Sequence, residues 1–133
     1  MSDKKFLSQL EIPLRWCDID AYQHVNNAKY FEFMGETRAD FLRDFLATFT
    51  DCHFVLVDGR CNFKKAFYYP GNVLVKQYLL SVGNSSFELL YIFSPADFPD
   101  DVYAEGYAKM VCVNPDLQKA TRIPDEVRRI LEK

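Results

Sequence analysis

The chain has 133 residues, 49% of them hydrophobic, with 12 Phe and 8 Tyr, which suits one packed domain spanning 1–133. A formal net charge of −3, with 16 basic residues spread along the sequence, argues against nucleic acid or an anionic membrane as a partner. The opening residues lack the apolar core of a secretory signal, and no stretch approaches the roughly 20 apolar residues of a membrane helix, so the expectation is a soluble, cytoplasmic protein.

Leu7 to Trp16 alternates loosely and reads as a strand, with Pro13 placing it at a sheet edge or an irregularity. From about Asn27 to Phe49, the residues Tyr30, Met34, Phe41, Phe45 and Phe49 share one helical face, which predicts a helix of about 20 residues, roughly 30 Å long. Short β-like runs follow at Phe54–Phe67, Val73–Val82, Phe87–Phe93 and Val102–Val113. The turn-forming stretches Tyr69–Asn72, Gly83–Ser86 and Ser94–Asp101 between them predict hairpin connections and an antiparallel sheet. Pro124-Asp125-Glu126, with Arg128, Arg129 and Lys133 beyond, predicts a short terminal helix. One long helix then has one sheet to pack against, an α+β arrangement.

Cys17, Cys52, Cys61 and Cys112 are widely spaced with no CxxC pair, so reduced structural thiols are expected rather than a disulfide framework or a metal site. Cys52-His53 is a poor nucleophile pair, because adjacent residues at a strand start point apart and no third orienting group is evident.

The chemistry concentrates between Trp16 and Leu42, just ahead of the long helix. The opening N–H groups of a helix have no intrahelical partners and carry the positive end of its dipole, so they can polarise a carbonyl oxygen. Asp18 and Asp20 flank Ile19 and share a face of any extended segment; Asp20 lies closer to the helix start, where it can form a turn, cap, or act as nucleophile or general base. His24, four residues on, can orient that acid, donate to a substrate carbonyl or simply bond backbone. Asn26 and Asn27 suit a helix cap, and the N–H at or beside Asn27 is a candidate oxyanion donor. Glu32, Glu36 and Asp40 form an acidic stripe, most simply a solvated face, with Arg38 and Arg43 at hand to compensate. Tyr22, Tyr30, Phe63 and Phe67 can line a pocket or fill a core, and Lys64 and Lys65 can protect an edge or meet phosphate.

The run Asp18-Ile19-Asp20-Ala21-Tyr22-Gln23-His24-Val25-Asn26-Asn27, with Tyr30, Phe31, Glu36, Arg38 and Phe41-Leu42, resembles the hot-dog-fold acyl-CoA thioesterases of the 4-hydroxybenzoyl-CoA thioesterase-like group. The likeness continues more loosely through Tyr69–Asn72 and Ser86 to Ile123-Pro124. The resemblance implies a hot-dog fold, an antiparallel sheet wrapped around one long central helix, and a homodimer or homotetramer with active sites between protomers. By motif position it implies Asp20 as the catalytic carboxylate, with His24 and the Asn27 amide shaping the site. Asn26, Tyr30, Lys64 and Ser86 are the substrate-binding candidates. The substrate implied is an acyl-CoA or acyl-carrier thioester, hydrolysed with no cofactor and no metal. Relatives with a basic turn before the strand at Ser86 differ from this chain, which has Gly83-Asn84-Ser85-Ser86 there. The alternative is a non-catalytic acyl-ligand or protein-interaction module on the same scaffold.

Overall fold

In the computed structural model, residues 4–48 and 52–133 are described. Six strands form one antiparallel sheet: β1 (Lys5–Pro13), β2 (His53–Phe63), β3 (Asn72–Val82), β4 (Ser86–Pro95), β5 (Ala104–Asn114) and the two-residue β6 (Lys119–Ala120). Their spatial order is β1-β3-β4-β5-β2, with β6 added beside β5. The helices are α1 (Asn27–Phe41), α2 (Arg43–Thr48) and α3 (Asp125–Glu132), and a single 3₁₀ turn covers Trp16–Asp18. Register shifts at Phe6/Ser8, Leu56/Asp58 and Leu79/Ser81 interrupt three ladders, and such bulges increase local twist and bend the bulged strand.

Alternation makes the inner face of the sheet. Phe87, Leu89, Tyr91 and Phe93 of β4 are buried, and the residues between them are half-buried. On β5 the inward positions Ala104, Gly106 and Ala108 are small, which opens a lane for α1. Tyr30, Phe33, Met34 and Thr37 are the buried residues of that helix, on its sheet-facing side. The closest approach is at Gly106, where a Cβ would fall on Met34 Sδ and within 3.3 Å of Phe93 and Tyr91. Beneath the helix, Tyr91 donates to Gln77 Oε1 (2.6 Å), Gln77 donates to Ser8 Oγ (3.1 Å), and Arg38 donates to the Tyr91 hydroxyl (3.3 Å). The buried side chains of Tyr91 and Gln77 are thereby paired, as burial requires. Ile123, Val127 and Leu131 of the C-terminal segment complete the core.

Four expectations need correction. The long helix ends at Phe41: Leu42 leaves helical geometry (φ −100°, ψ 9°), and the chain resumes as α2, with Phe45 turned onto Phe54 of β2 at 5.7 Å. Phe49 lies outside the described residues. β2 and β3 are not a hairpin, since β2 pairs with β5 and β3 with β1. The run expected to remain strand as far as Phe67 leaves the sheet at Phe63, and residues 64–71 cross from the β2 edge to β3, beside the opposite edge strand β1. Finally, Cys52 and Cys112 are joined as a disulfide, while Cys17 and Cys61 are free. The pairing follows from β2 lying against β5, which puts Phe54 opposite Cys112; sixty residues of separation conceal that neighbourhood in the sequence. It also removes Cys52 from any role as a nucleophile.

Candidate active site

Between β1 and α1 the chain forms a small finger. Its neck is closed by Asn26 N donating to Asp18 O (2.9 Å), by an antiparallel bridge between Ile19 and Val25, and by Asp20 N donating to His24 O (2.8 Å). The reversal at the tip places Gln23 at φ +68°, the left-handed region that most side chains avoid. Asp20 organises the reversal: its Oδ1 accepts Tyr22 N (2.9 Å) and His24 N (3.3 Å), while Oδ2 has no hydrogen-bond partner among the described residues. The turn-forming reading and the chemical one therefore use different oxygens of a half-buried carboxylate.

The finger is docked on the crossing segment 64–71. Val25 N donates to Phe67 O (3.1 Å), His24 bridges to Tyr68, and the two rings meet edge-on at 5.2 Å. His24 is thus held by its backbone and by an aromatic edge. Its contact with Asp20 is main chain to carboxylate rather than imidazole to carboxylate.

Asp18, two residues before Asp20, has a different environment. It is 1% exposed, accepts Arg15 N (2.9 Å) and Arg15 Nη2 (3.1 Å), and lies 3.7 Å from Lys29 Nζ. Burial pushes its carboxyl up, but the Arg15 amide, the Arg15 guanidinium and Lys29 together outweigh that and hold it below the ordinary value of 3.8.

The start of α1 can be accounted for amide by amide. Asn26 N is taken by Asp18 O, Ala28 N by the Asn26 side chain (2.9 Å), and Lys29 N by Asn26 O (2.9 Å). Asn27 N has no partner among the described residues. Asn26 is therefore the cap, and Asn27 supplies the one opening amide left to meet a ligand. Asn27 is one of the residues that line a cleft of about 220 Å³, with His24, Val25, Tyr30, Phe63, Lys64, Lys65 and Ala66.

Four expected site residues, His24, Asn27, Tyr30 and Lys64, line this one cleft, and Asp20 is hydrogen-bonded to the first of them. Tyr30 is buried, with ring neighbours Phe33, Phe63, Phe67 and Phe93, and burial pushes its hydroxyl up to about 12, so it stays protonated. Lys64 and Lys65 both donate their amides to Tyr103 O, and their ammonium groups pair with Glu105 and Asp101, each at 3.0 Å. Ser86 is elsewhere. It begins β4 opposite Val111, whereas the cleft lies toward the Phe93 end of that strand, about 23 Å away at 3.3 Å per residue. The acidic stripe is a solvated face in part neutralised by Lys29 on Glu32 and Arg43 on Asp40, both at 3.2 Å. Sequence reasoning missed the Asp18 ion cluster, because Arg15 and Lys29 stand far apart along the chain with no pattern linking them.

The profile of the thioesterase-like superfamily matches residues 14–131. The long-chain acyl-CoA thioesterase FadM of Escherichia coli is 29% identical over 128 residues, spanning 93% of this chain and 96% of that protein. Among solved structures, the PA2801 protein of Pseudomonas aeruginosa superposes with a TM-score of 0.88 at 29% identity, covering 94% of this chain and 98% of that one. The DHNA-CoA thioesterase of Staphylococcus aureus shares the fold, with a TM-score of 0.82 at 18% identity over 94% and 88% of the two chains. With its curled antiparallel sheet, its central helix and a profile match from Leu14 to Leu131, the chain belongs to the thioesterase-like superfamily of hot-dog-fold proteins.

Proposed function

We propose that this thioester hydrolase cleaves acyl-CoA, with the carbonyl oxygen on the Asn27 N–H and with Asp20 as nucleophile or general base. The observation that carries the reading is that Asn27, whose amide has no partner among the described residues, lines the same cleft as His24, Tyr30 and Lys64. As attack proceeds, charge develops on the carbonyl oxygen, and a fixed amide at the positive end of a helix stabilises it without reorganising. Asp20 Oδ2 either removes a proton from the attacking water or attacks the carbonyl carbon itself. On the first route the C–S bond breaks and the proton Asp20 took from water passes to the departing thiolate; on the second the thiolate leaves with a proton from solvent, and water then hydrolyses the acyl–Asp20 anhydride, releasing the acid and restoring the carboxylate. The acyl-CoA substrate class follows the FadM relative, and an acyl-carrier thioester presents the same carbonyl.

The second half of the site is assigned to another copy of the chain. β2 is paired on one side only among the described residues, and Val55, Leu56 and Val57 are 39%, 47% and 56% exposed along it, with Phe31 and Phe63 nearby. An apolar, unpaired edge of this kind invites strand addition. A homodimer joined along β2, or a tetramer of such dimers, covers it.

The test is thiol release from short, long and aromatic acyl-CoAs by wild type, Asn27→Ala and Asn27→Pro. Proline at the first helical position removes the amide while its ring suits the backbone, and Asn26 at φ −59°, ψ 135° is already in the region that precedes proline. Loss of one oxyanion donor is expected to lower kcat by roughly 10²–10³-fold in Asn27→Pro, whereas Asn27→Ala, which keeps the amide, loses less than about tenfold. Equal rates in the two variants would remove the amide from the mechanism. Saturable acyl-CoA binding with no turnover in wild type would favour the non-catalytic module.

A further inference from the structure

Asp18 takes no part in the chemistry proposed above, yet it is the one buried carboxylate among the described residues. Three residues from two segments converge on it. Arg15, at the exit from β1, gives its amide and guanidinium to the two carboxylate oxygens; Asn26, the cap of α1, gives its amide to the Asp18 carbonyl; Lys29, in the first turn of α1, places its ammonium 3.7 Å from Oδ1. The residue two places on is Asp20, and the residue after Asn26 is Asn27. As a source of stability the cluster is modest, since the burial of Asp18 offsets part of the attraction and Arg15, 64% exposed, meets it under solvent screening. What this cluster does supply is direction: hydrogen bonds and charge fix the angle at which strand exit, finger and helix start meet.

We propose that Asp18 is a positioning residue, pinning the start of α1 to the finger that carries Asp20 and so setting the separation between the Asp20 carboxylate and the Asn27 amide. The inference rests on the thioesterase reading above. Asp18→Asn keeps an acceptor for the Arg15 amide and removes the charge that gathers Arg15 and Lys29. A misplacement on the order of 1 Å costs about 100-fold in well-oriented reactions, so the expected effect is a fall in kcat of about 10- to 100-fold with KM within about threefold.

The experiment measures kcat and KM for Asp18→Asn, Asp20→Asn and the double variant, each first matched to wild type in circular dichroism and oligomeric state. A positioning role predicts that Asp18→Asn costs less than about twofold further once Asp20 is replaced, because there is no carboxylate left to position. A merely structural role predicts a lower melting temperature with wild-type kcat in the folded protein, or the same loss on both backgrounds, and either result overturns the inference. Full turnover in Asp20→Asn would overturn the thioesterase mechanism and this inference with it. A normal loss in Asp20→Asn with none in Asp18→Asn overturns this inference alone. Should Asp18→Asn not fold, Arg15→Met deletes only an exposed guanidinium; a kcat loss of about threefold or more that vanishes in the Asp20→Asn background supports the proposal, and an unchanged kcat refutes it.

Discussion

Gly106 sets how closely α1 lies on the sheet, so Gly106→Ala should destabilise a strand in which alanine would ordinarily be the better residue. The new methyl would occupy the place of Met34 Sδ and press within 3.3 Å of the Phe93 ring and Tyr91 Cβ. Inserting atoms into a packed core costs typically about 1–3 kcal/mol. Against that, replacing glycine in a strand interior returns about 0.5–1 kcal/mol of chain entropy, leaving a net loss of about 1–2 kcal/mol. With an unfolding entropy of roughly 2.1 cal/mol/K per residue over 133 residues, this lowers the melting temperature by about 4–7 °C at fixed protein concentration. Thermal unfolding followed by circular dichroism reads the shift. The same measurement in a Met34→Ala background is the sharper check: Met34→Ala alone costs about 2–5 kcal/mol, but the cavity it leaves accepts the methyl, so the double variant should be more stable than the sum predicts. Strict additivity, or a Gly106→Ala protein as stable as wild type, would refute the close-approach argument.

Three further outcomes follow from the described geometry. Asn26→Ala should lower stability by about 1 kcal/mol and Asn26→Asp by much less, in denaturant unfolding, because only the first leaves the Ala28 amide without its cap. The carboxyl of Asp18 is held below its ordinary value of 3.8, so its contribution is fully present above that pH and is lost as pH falls through the lower folded value. Asp18→Asn should accordingly flatten the acid limb of the stability curve in that window, and an identical limb in both proteins would contradict the assignment. Unreduced protein in denaturant should show two titratable thiols, Cys17 and Cys61, and four after reduction; closing a loop of sixty residues stabilises by at most about 4 kcal/mol, so reductant should also lower the melting temperature.

The parts of the fold that were legible are those written in local periodicity. β3, β4, β5 and the terminal helix fall where alternation and turn chemistry put them, and the α1 start at Asn27 follows from its capping residue. What failed depended on which strands become neighbours. Tyr69–Asn72 has the composition of a hairpin turn, but the strands it separates lie at β2 and β3, which three-dimensional order sends to different partners. The same ignorance hid the Cys52–Cys112 pair. In the site, the spacing of Asp20, His24 and Asn27 was visible as a cluster, and Asp20 stood apart from Asp18 by lying closer to the helix start, whereas the partners of Asp18 were not visible. Burial beside Arg15 and Lys29, which no spacing announces, is what gives Asp18 its separate environment. Ser86 was grouped with the cleft by resemblance alone, and within one chain it sits at the other end of β4.

The most direct measurement is thiol release by wild type and Asp20→Asn on the best acyl-CoA substrate. Both proteins are first brought to the same fold and oligomeric state, which matters because Asp20 Oδ1 also holds the Tyr22 and His24 amides that the asparagine carbonyl can still accept. The account predicts that kcat falls by at least about 10²-fold in the variant while acyl-CoA binding is retained, as general-base or nucleophilic catalysis requires. Wild-type turnover in a folded Asp20→Asn protein would contradict it and move the chemistry away from the finger.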